Sequence, residues 1–278
     1  MMLVNLGDTL QKALKHSYAV AGLVTLGWED MMAYVEAAEQ ENCPVILQAG
    51  PSCRQHTPIP ILGKMFNYLA DNTSVPVVAH LDHGYSEEEC KIAIDSGFSS
   101  IMFDGSKKSL NENIDQTATI CEIAHSAGVS CEGEIGFVGY SGGERSAGTD
   151  PEEASRFAID TNIDAMAISV GNIHLQENKE GGLDEDRITA IEEVTDIPLV
   201  IHGGSGVPVA QRTFLSQNSK ICKFNIGTEL RSSFGHSLRE AVNKDLNRFD
   251  RIQILKDTHL PLVEKTRDVL KALKPVGS

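Results

Sequence analysis

Short apolar runs rich in β-branched and small residues recur along the chain, each followed by a polar or Gly-containing turn and then a longer stretch with helix-like spacing. Eight such runs stand at 19–25, 45–48, 77–80, 99–103, 129–134, 165–170, 199–201 and 221–226. That rhythm is the βα alternation of a parallel sheet. Amphipathic stretches between the runs include 29–40, 87–96, 111–127, 151–160, 184–195 and 229–243. Ser86 ahead of Glu87-Glu88-Glu89, and Asp150-Pro151 ahead of Glu152-Glu153, supply the cap and first-turn signals that open a helix. Eight βα units predict an α/β fold, a closed (β/α)8 TIM barrel, with an open doubly wound sheet as the alternative. Residues 260–273 read as one extra C-terminal helix that covers the barrel or a neighbouring subunit. No linker, low-complexity segment or shift of composition divides residues 1–278, so a single domain is expected.

Composition then narrows the setting. Hydrophobic residues make up 41 % of the 278, mean hydropathy is -0.15, and no apolar run approaches the roughly 20 residues a membrane helix needs. The start of the chain, Met1-Met2-Leu3-Val4-Asn5-Leu6-Gly7-Asp8, lacks a basic stretch followed by an apolar core, so the chain reads as cytoplasmic. Six cysteines are scattered without a Cys-x-x-Cys pair and are expected as free core thiols. A net charge of -15 and a pI near 5.0 oppose affinity for nucleic acid, which is held through clustered Lys and Arg. Any phosphorylated ligand is then small and held by local geometry.

In a TIM barrel the chemistry sits at the carboxyl ends of the strands. Polar residues concentrate there: His80-Leu81-Asp82-His83-Gly84, Asp104-Gly105-Ser106, Glu132-Gly133-Glu134, Gly171-Asn172-Ile173-His174, His202-Gly203-Gly204-Ser205-Gly206 and Asn225-Ile226-Gly227-Thr228. His83, His174 and His202 thus project from three strand ends toward one mouth, and three imidazoles with an open position are the ligand set of a catalytic zinc site. A lone strand-end histidine would more often be structural; three at matched junctions are not. The other six histidines are expected to be structural, with His80, which points opposite to Leu81, behind the ligands. Asp82 is the candidate for proton transfer at a metal-bound substrate, or else it orients an imidazole. Asp104 and Glu134 are expected to support the ligands or to substitute for one. Backbone amides at Gly203, Gly204 and Ser205, and at Gly227 and Thr228, open two helices beside loops seven and eight, the usual phosphate site of this barrel. Oriented dipoles of that kind do not appear in the net charge.

Together these segments resemble the class II, zinc-dependent fructose-bisphosphate and tagatose-bisphosphate aldolases. The resemblance rests on Ala79-His80-Leu81-Asp82-His83-Gly84, Met102-Phe103-Asp104-Gly105-Ser106, Glu132-Gly133-Glu134-Ile135-Gly136, Val200-Ile201-His202-Gly203-Gly204-Ser205-Gly206 and Lys223-Phe224-Asn225-Ile226-Gly227-Thr228-Glu229-Leu230, in the family's order. It implies zinc on His83, His174 and His202, with Asp82 exchanging a hydroxyl proton and Asn225 touching the enediolate. It further implies that Gly203, Ser205, Gly227 and Thr228 hold the phosphate of a dihydroxyacetone phosphate unit, with a monovalent cation (Na+ or K+) nearby, in a homodimer or homotetramer. Three departures bear on the substrate. Leu23-Val24 stands where the family has Phe-Asn, Leu175 follows the metal histidine where the family has Gly, and the loop after the fifth strand is short. That loop offers Glu144, after Gly142-Gly143, as the base that enolises dihydroxyacetone phosphate. Arg54 and Arg145 are the candidates to meet an acidic or phosphate group on the far half of the substrate.

The leading expectation is therefore a lyase that cleaves or forms a phosphorylated ketose. Two alternatives stand beside it: a barrel that binds sugar phosphate without turnover, and a metal-dependent hydrolase or epimerase on the same scaffold.

Overall fold

The computed structural model describes residues 2–143, 145–176 and 182–273. Strands β1 (Val20–Val24), β2 (Val45–Ala49), β3 (Val77–Gly84), β4 (Ser100–Phe103), β5 (Ser130–Ile135), β6 (Ala165–Ile168), β7 (Leu199–Ile201) and β8 (Ile221–Ile226) pair in parallel and in sequence order. The ring closes where β1 meets β8, with Val20 opposite Lys223 and Gly22 opposite Asn225. The fold is a TIM barrel, and the open sheet is excluded. Nearly every strand position is buried, because one face packs on the outer helices and the other fills the barrel.

The outer helices are α2 (Trp28–Glu41), α3 (Pro51–His56), α4 (Ile59–Asp71), α5 (Glu87–Asp95), α6 (Leu110–Ser126), α7 (Pro151–Thr161), α8 (Glu185–Glu192), α9 (Val209–Asn218) and α10 (Thr228–Lys244), preceded by α1 (Leu6–Lys15) and followed by α11 (Arg251–Leu273). Their starts follow the sequence signals. Ser86 Oγ accepts the Glu89 amide at 3.1 Å, and Asp150 Oδ1 accepts those of Glu152 and Glu153 at 2.9 and 3.1 Å. Leu6, Leu10 and Ala13 are spaced as one face of a helix, and α1 and α4 add to the helices expected above. Leu6, Leu10 and Ala13 of α1 pack against Val20, Ile46, Val78, Ala165, Val200 and Cys222, and so plug the amino-terminal end of the barrel.

The C-terminal helix begins at Arg251, earlier than the expected 260, and runs through Pro261. A proline ordinarily stops a helix because it lacks the amide and crowds the preceding turn. Here burial of Leu262, Val263, Val269, Leu270 and Leu273 outweighs that loss. The helix packs on α2 and α10, and its Leu273 carbonyl accepts the Ala19 amide at the entrance to β1. No helix among the described residues is long and apolar enough to cross a membrane. All six cysteines are free thiols.

Candidate active site

Along β3, period-two alternation carries Val78, His80 and Asp82 up the inside of the barrel from floor to mouth. The next residue, His83, would face outward in a regular strand. Its φ is +54°, and the β3–β4 register shifts between Leu81 and Gly84. This irregularity turns the imidazole back into the mouth, so that neighbours Asp82 and His83 serve one site.

There the His83 ring meets those of His202 and His174, with centroids 4.6 and 5.2 Å away; His174 and His202 are 5.6 Å apart. One ring nitrogen from each lies within 4.8 Å of the other two, close enough for a single ion. Each ring is held from behind. His83 Nδ1 is 2.8 Å from Asp104 Oδ2, and Asp104 Oδ1 accepts the Ser106 amide and hydroxyl at 3.1 and 2.6 Å. His174 stacks on Tyr140 at 4.8 Å, while its backbone pairs with Gly139 and Ser141.

His202 belongs to a chain of buried charges. Its Nε2 is 3.0 Å from Glu132 Oε1; Lys223 Nζ donates to Glu132 Oε2 at 2.7 Å and reaches His80 Nε2 at 3.3 Å; His80 Nδ1 meets Ser100 Oγ at 2.8 Å. Burial and the Lys223 ammonium lower His80 to about 3, so that imidazole is neutral, accepting at Nε2 and donating from Nδ1. The other nitrogen of His202, Nδ1, stands 3.3 Å from Glu134 Oε2 without hydrogen-bond alignment, and both atoms are buried and unpartnered. Orphaned buried donors and acceptors are costly. A divalent cation ligated by His202 Nδ1 would satisfy that nitrogen, and the donor set fits one.

The surrounding electrostatics favour positive charge. Burial lowers His202, but Glu132 and Glu134 outweigh it and raise the imidazole to about 10. Burial likewise opposes ionisation of Asp82, yet His83 and His202 bring it down to about 2, so its carboxylate is charged. Burial and the neighbouring His83 push His174 down to about 3, which leaves a neutral ring with a free lone pair. His83, Asp104 and Glu134 form a second, overlapping group able to hold an ion.

A cleft of about 340 Å³ opens over these residues. Asp82 and Asn225 share its base, with Asn225 Nδ2 donating to Asp82 Oδ1 at 3.3 Å. Gly203, Ser205, Gly227 and Thr228 line one side. Gly203 has φ +64°, and a methyl there would lie 2.3 Å from the Ile173 carbonyl, so only glycine lets the β7 loop sit against the segment that carries His174. Ser205 Oγ accepts the amides of Gly227 and Glu229 at 3.1 and 3.3 Å, joining loops seven and eight.

The model of the family described as fructose-bisphosphate aldolase class-II matches residues 4–278. This chain belongs to that family. It is therefore an aldolase, a carbon–carbon lyase, and not the hydrolase or epimerase of the alternative reading. It is 36 % identical to the 6-phospho-5-dehydro-2-deoxy-D-gluconate aldolase of Shouchella clausii, over 100 % of this chain and 96 % of that protein. It is also 36 % identical to the fructose-bisphosphate aldolase of Geobacillus stearothermophilus, over 92 % and 91 %. The solved structure of the YdjI aldolase from Escherichia coli K12 superposes with a TM-score of 0.85 at 26 % identity, covering 99 % and 98 % of the two chains.

Within the aldolase, some expected substrate contacts sit elsewhere. Arg54 does not face the cleft. Its guanidinium donates to the carbonyls of Ala49 and Asp82 at 2.6 Å and His83 at 2.9 Å, and to Glu89 at 2.8 Å, bracing β2 and β3. Arg145 is exposed away from the lining, and Glu144 lies outside the described residues. Gly204 packs behind the wall, where a methyl would meet the Asn225 carbonyl at 3.0 Å. Leu175 lines the cleft half exposed, with φ +56°. Sequence reasoning missed Tyr140, Ser52 and Arg231 on the cleft wall and the Lys223–Glu132 pair beneath it. Strand parity carried a signal for the pair, since Lys223 and Glu132 lie two residues before Asn225 and Glu134 on the inward face. Nothing local marked Arg231.

Proposed function

We propose that this aldolase is zinc-dependent and makes or breaks a carbon–carbon bond in a ketose phosphate, with dihydroxyacetone phosphate as one product and an aldehyde as the other. The observation that carries this reading is the convergence of the three imidazoles beside an ionised Asp82 that is hydrogen-bonded to Asn225. His83, His174 and His202 would hold the zinc, which when bound supplies a Lewis acid at the substrate's ketone. Asp82 takes or returns the proton of the substrate hydroxyl from its place beside Asn225. Asn225, anchored through its amide to Asp82, presents its free Oδ1 to the substrate. Gly203 and Ser205 of loop seven, with Gly227 and Thr228 at the start of α10, cradle the phosphate, with Na+ or K+ beside it. Asp104 and Glu134 orient or back the ligating rings, and Glu144 is the enolising base. The active unit is a homodimer or homotetramer.

Two relatives at the same identity carry different substrate names, so family likeness leaves the aldehyde half open. Val24 replaces a polar cleft residue, and Leu175 stands in the left-handed region where the family has glycine. Fructose 1,6-bisphosphate is accordingly a poor substrate, and a ketose phosphate with a different aldehyde half is preferred. The test is a panel of kcat/KM values for fructose and tagatose bisphosphates beside ketose 1-phosphates with unphosphorylated or carboxylated tails. Release of dihydroxyacetone phosphate is the readout, and metal content is measured in parallel. No release from any member would sink the reaction assignment. Efficient cleavage of fructose 1,6-bisphosphate above every other member would sink the preference.

A further inference from the structure

The inward turn of His83 is not made by β3 alone. Strand β3 last pairs with β2 at Leu81, opposite Ala49, and next pairs with β4 at Gly84, opposite Phe103, so Asp82 and His83 have no partner in either register. His83 also holds a φ of +54°, where the side chain of an L-residue crowds the carbonyl that follows it. A backbone in that region persists only where its surroundings hold it there.

One buried side chain supplies that hold. Arg54, in α3, donates from Nη1 to the Asp82 carbonyl at 2.6 Å and from Nη2 to the His83 carbonyl at 2.9 Å. These are the carbonyls of the two peptide groups that flank the His83 Cα, so the pair of bonds fixes both of its backbone dihedrals. Nη1 donates again, to the Ala49 carbonyl at 2.6 Å, which anchors the guanidinium to the end of β2. Nε donates to Glu89 Oε1 at 2.8 Å, and Glu89 Oε2 accepts the Tyr85 amide at 3.0 Å. Glu89 is itself set in the first turn of α5, its amide bonded to Ser86 Oγ at 3.1 Å. A single ion pair thus grips the end of β3 at Asp82, His83 and Tyr85, through bonds of the stronger, charge-assisted kind.

We propose that Arg54 is a positioning residue of this active site: by bracketing His83 it holds the left-handed turn that brings the His83 imidazole and the Asp82 carboxylate into one mouth. The inference rests on the zinc-aldolase reading for what those two side chains do, and adds how they are placed. The planar fork is what the task requires. A lysine could carry its charge to one carbonyl, but could not splay donors to both sides of His83 while a third nitrogen meets Glu89.

The experiment compares the wild type with R54M, which keeps an unbranched stem and removes the fork, and with the milder R54K and E89Q. Zinc affinity is read by chelator competition, geometry at the metal by the visible spectrum of the cobalt-loaded protein, and kcat and KM on the ketose panel. R54M should bind zinc about 10- to 100-fold more weakly, as loss of a group that orients a ligand does, with an altered cobalt spectrum. Its kcat should fall while KM moves less, because the reacting groups are misplaced and the rest of the cleft is intact. R54K and E89Q should lie between R54M and the wild type. In crystals of metal-free R54M, His83 should leave the left-handed region and turn out of the mouth. Wild-type zinc affinity and cobalt spectrum in R54M, with only a lowered melting temperature, would reduce Arg54 to a brace and overturn the proposal. Should R54M not fold, the same two readings on E89Q decide in the same sense. If the wild type cleaves no ketose, the reaction reading fails and the metal readings alone judge Arg54. If it takes up no metal, the zinc reading fails, and an unmoved His83 in the metal-free crystals is the result that overturns the positioning role.

Discussion

The two ends of the barrel are built from the same eight strands and obey opposite rules. At the floor, Leu6, Leu10 and Ala13 of α1 meet Val20, Ile46, Val78, Ala165 and Val200 in a dry, apolar contact. At the mouth, the same inward positions become His80 and Asp82, Glu132 and Glu134, Lys223 and Asn225, and two of their polar atoms, Glu134 Oε2 and Asn225 Oδ1, are left without partners. The floor cluster carries no side-chain nitrogen or oxygen that could be left unpartnered. An apolar floor stabilises; a mouth with orphaned donors and acceptors binds. The division of labour expected of this barrel is thus visible in where hydrogen bonds are missing.

Mutations should separate the two ends, and the largest effect belongs to the mouth. Replacing His83, His174 or His202 by Ala should take zinc from about one per chain toward none and abolish cleavage, as three-ligand sites lose their metal with a ligand. Stoichiometric zinc retained in all three variants, measured by atomic spectroscopy, would remove the metal assignment. Next in size, Asp82→Ala should keep zinc and fold yet lose about 10²- to 10⁴-fold in turnover. If zinc affinity falls in step with turnover, Asp82 orients a ligand and does not move a proton. At the floor, Leu10→Ala should cost about 2–5 kcal/mol of stability by denaturant titration, with kcat unaltered in the folded fraction. A stable variant with impaired kcat would erase the contrast between the ends. The smallest effect concerns Leu175, whose left-handed backbone costs roughly 1–2 kcal/mol against the roughly 0.5–1 kcal/mol by which glycine loosens the unfolded chain. Leu175→Gly should then gain about 0.5–1 kcal/mol, seen as a higher melting temperature; a drop would mean that the leucine packs to advantage.

Much of this architecture is legible in the sequence because it is periodic. The strands at 199–201 and 221–226 have the same bounds in the structure, since both runs end sharply in polar junctions. Helix α11 extends past the expected start because a proline is a local signal, while the burial that overrides it is tertiary. At the site, the residues on strand ends converge as topology requires. Arg54 shows the limit: near the mouth in sequence, it is turned away by carbonyls of β2 and β3 that only the fold brings within reach. His83 marks another limit. Its inward direction depends on a positive φ and a register shift that strand alternation does not predict. Arg231 reaches the cleft from a helix, where spacing gives no hint that one turn later the side chain leans back over Gly227.

The short bridge between Tyr140 and His174 ties a surface loop to a ring of the site: the Ser141 amide donates to the His174 carbonyl at 2.9 Å, the His174 amide to Gly139 at 2.8 Å, and the two rings stack. In thermodynamic language the loop and the ring are linked variables. Whatever free energy a ligand gains by ordering His174 is shared with residues 139–141, and ordering that loop strengthens the ligand's hold by the same factor. Changes to that loop, which sets Tyr140 on the cleft wall, therefore reach the ligand through the stacked ring as well as directly.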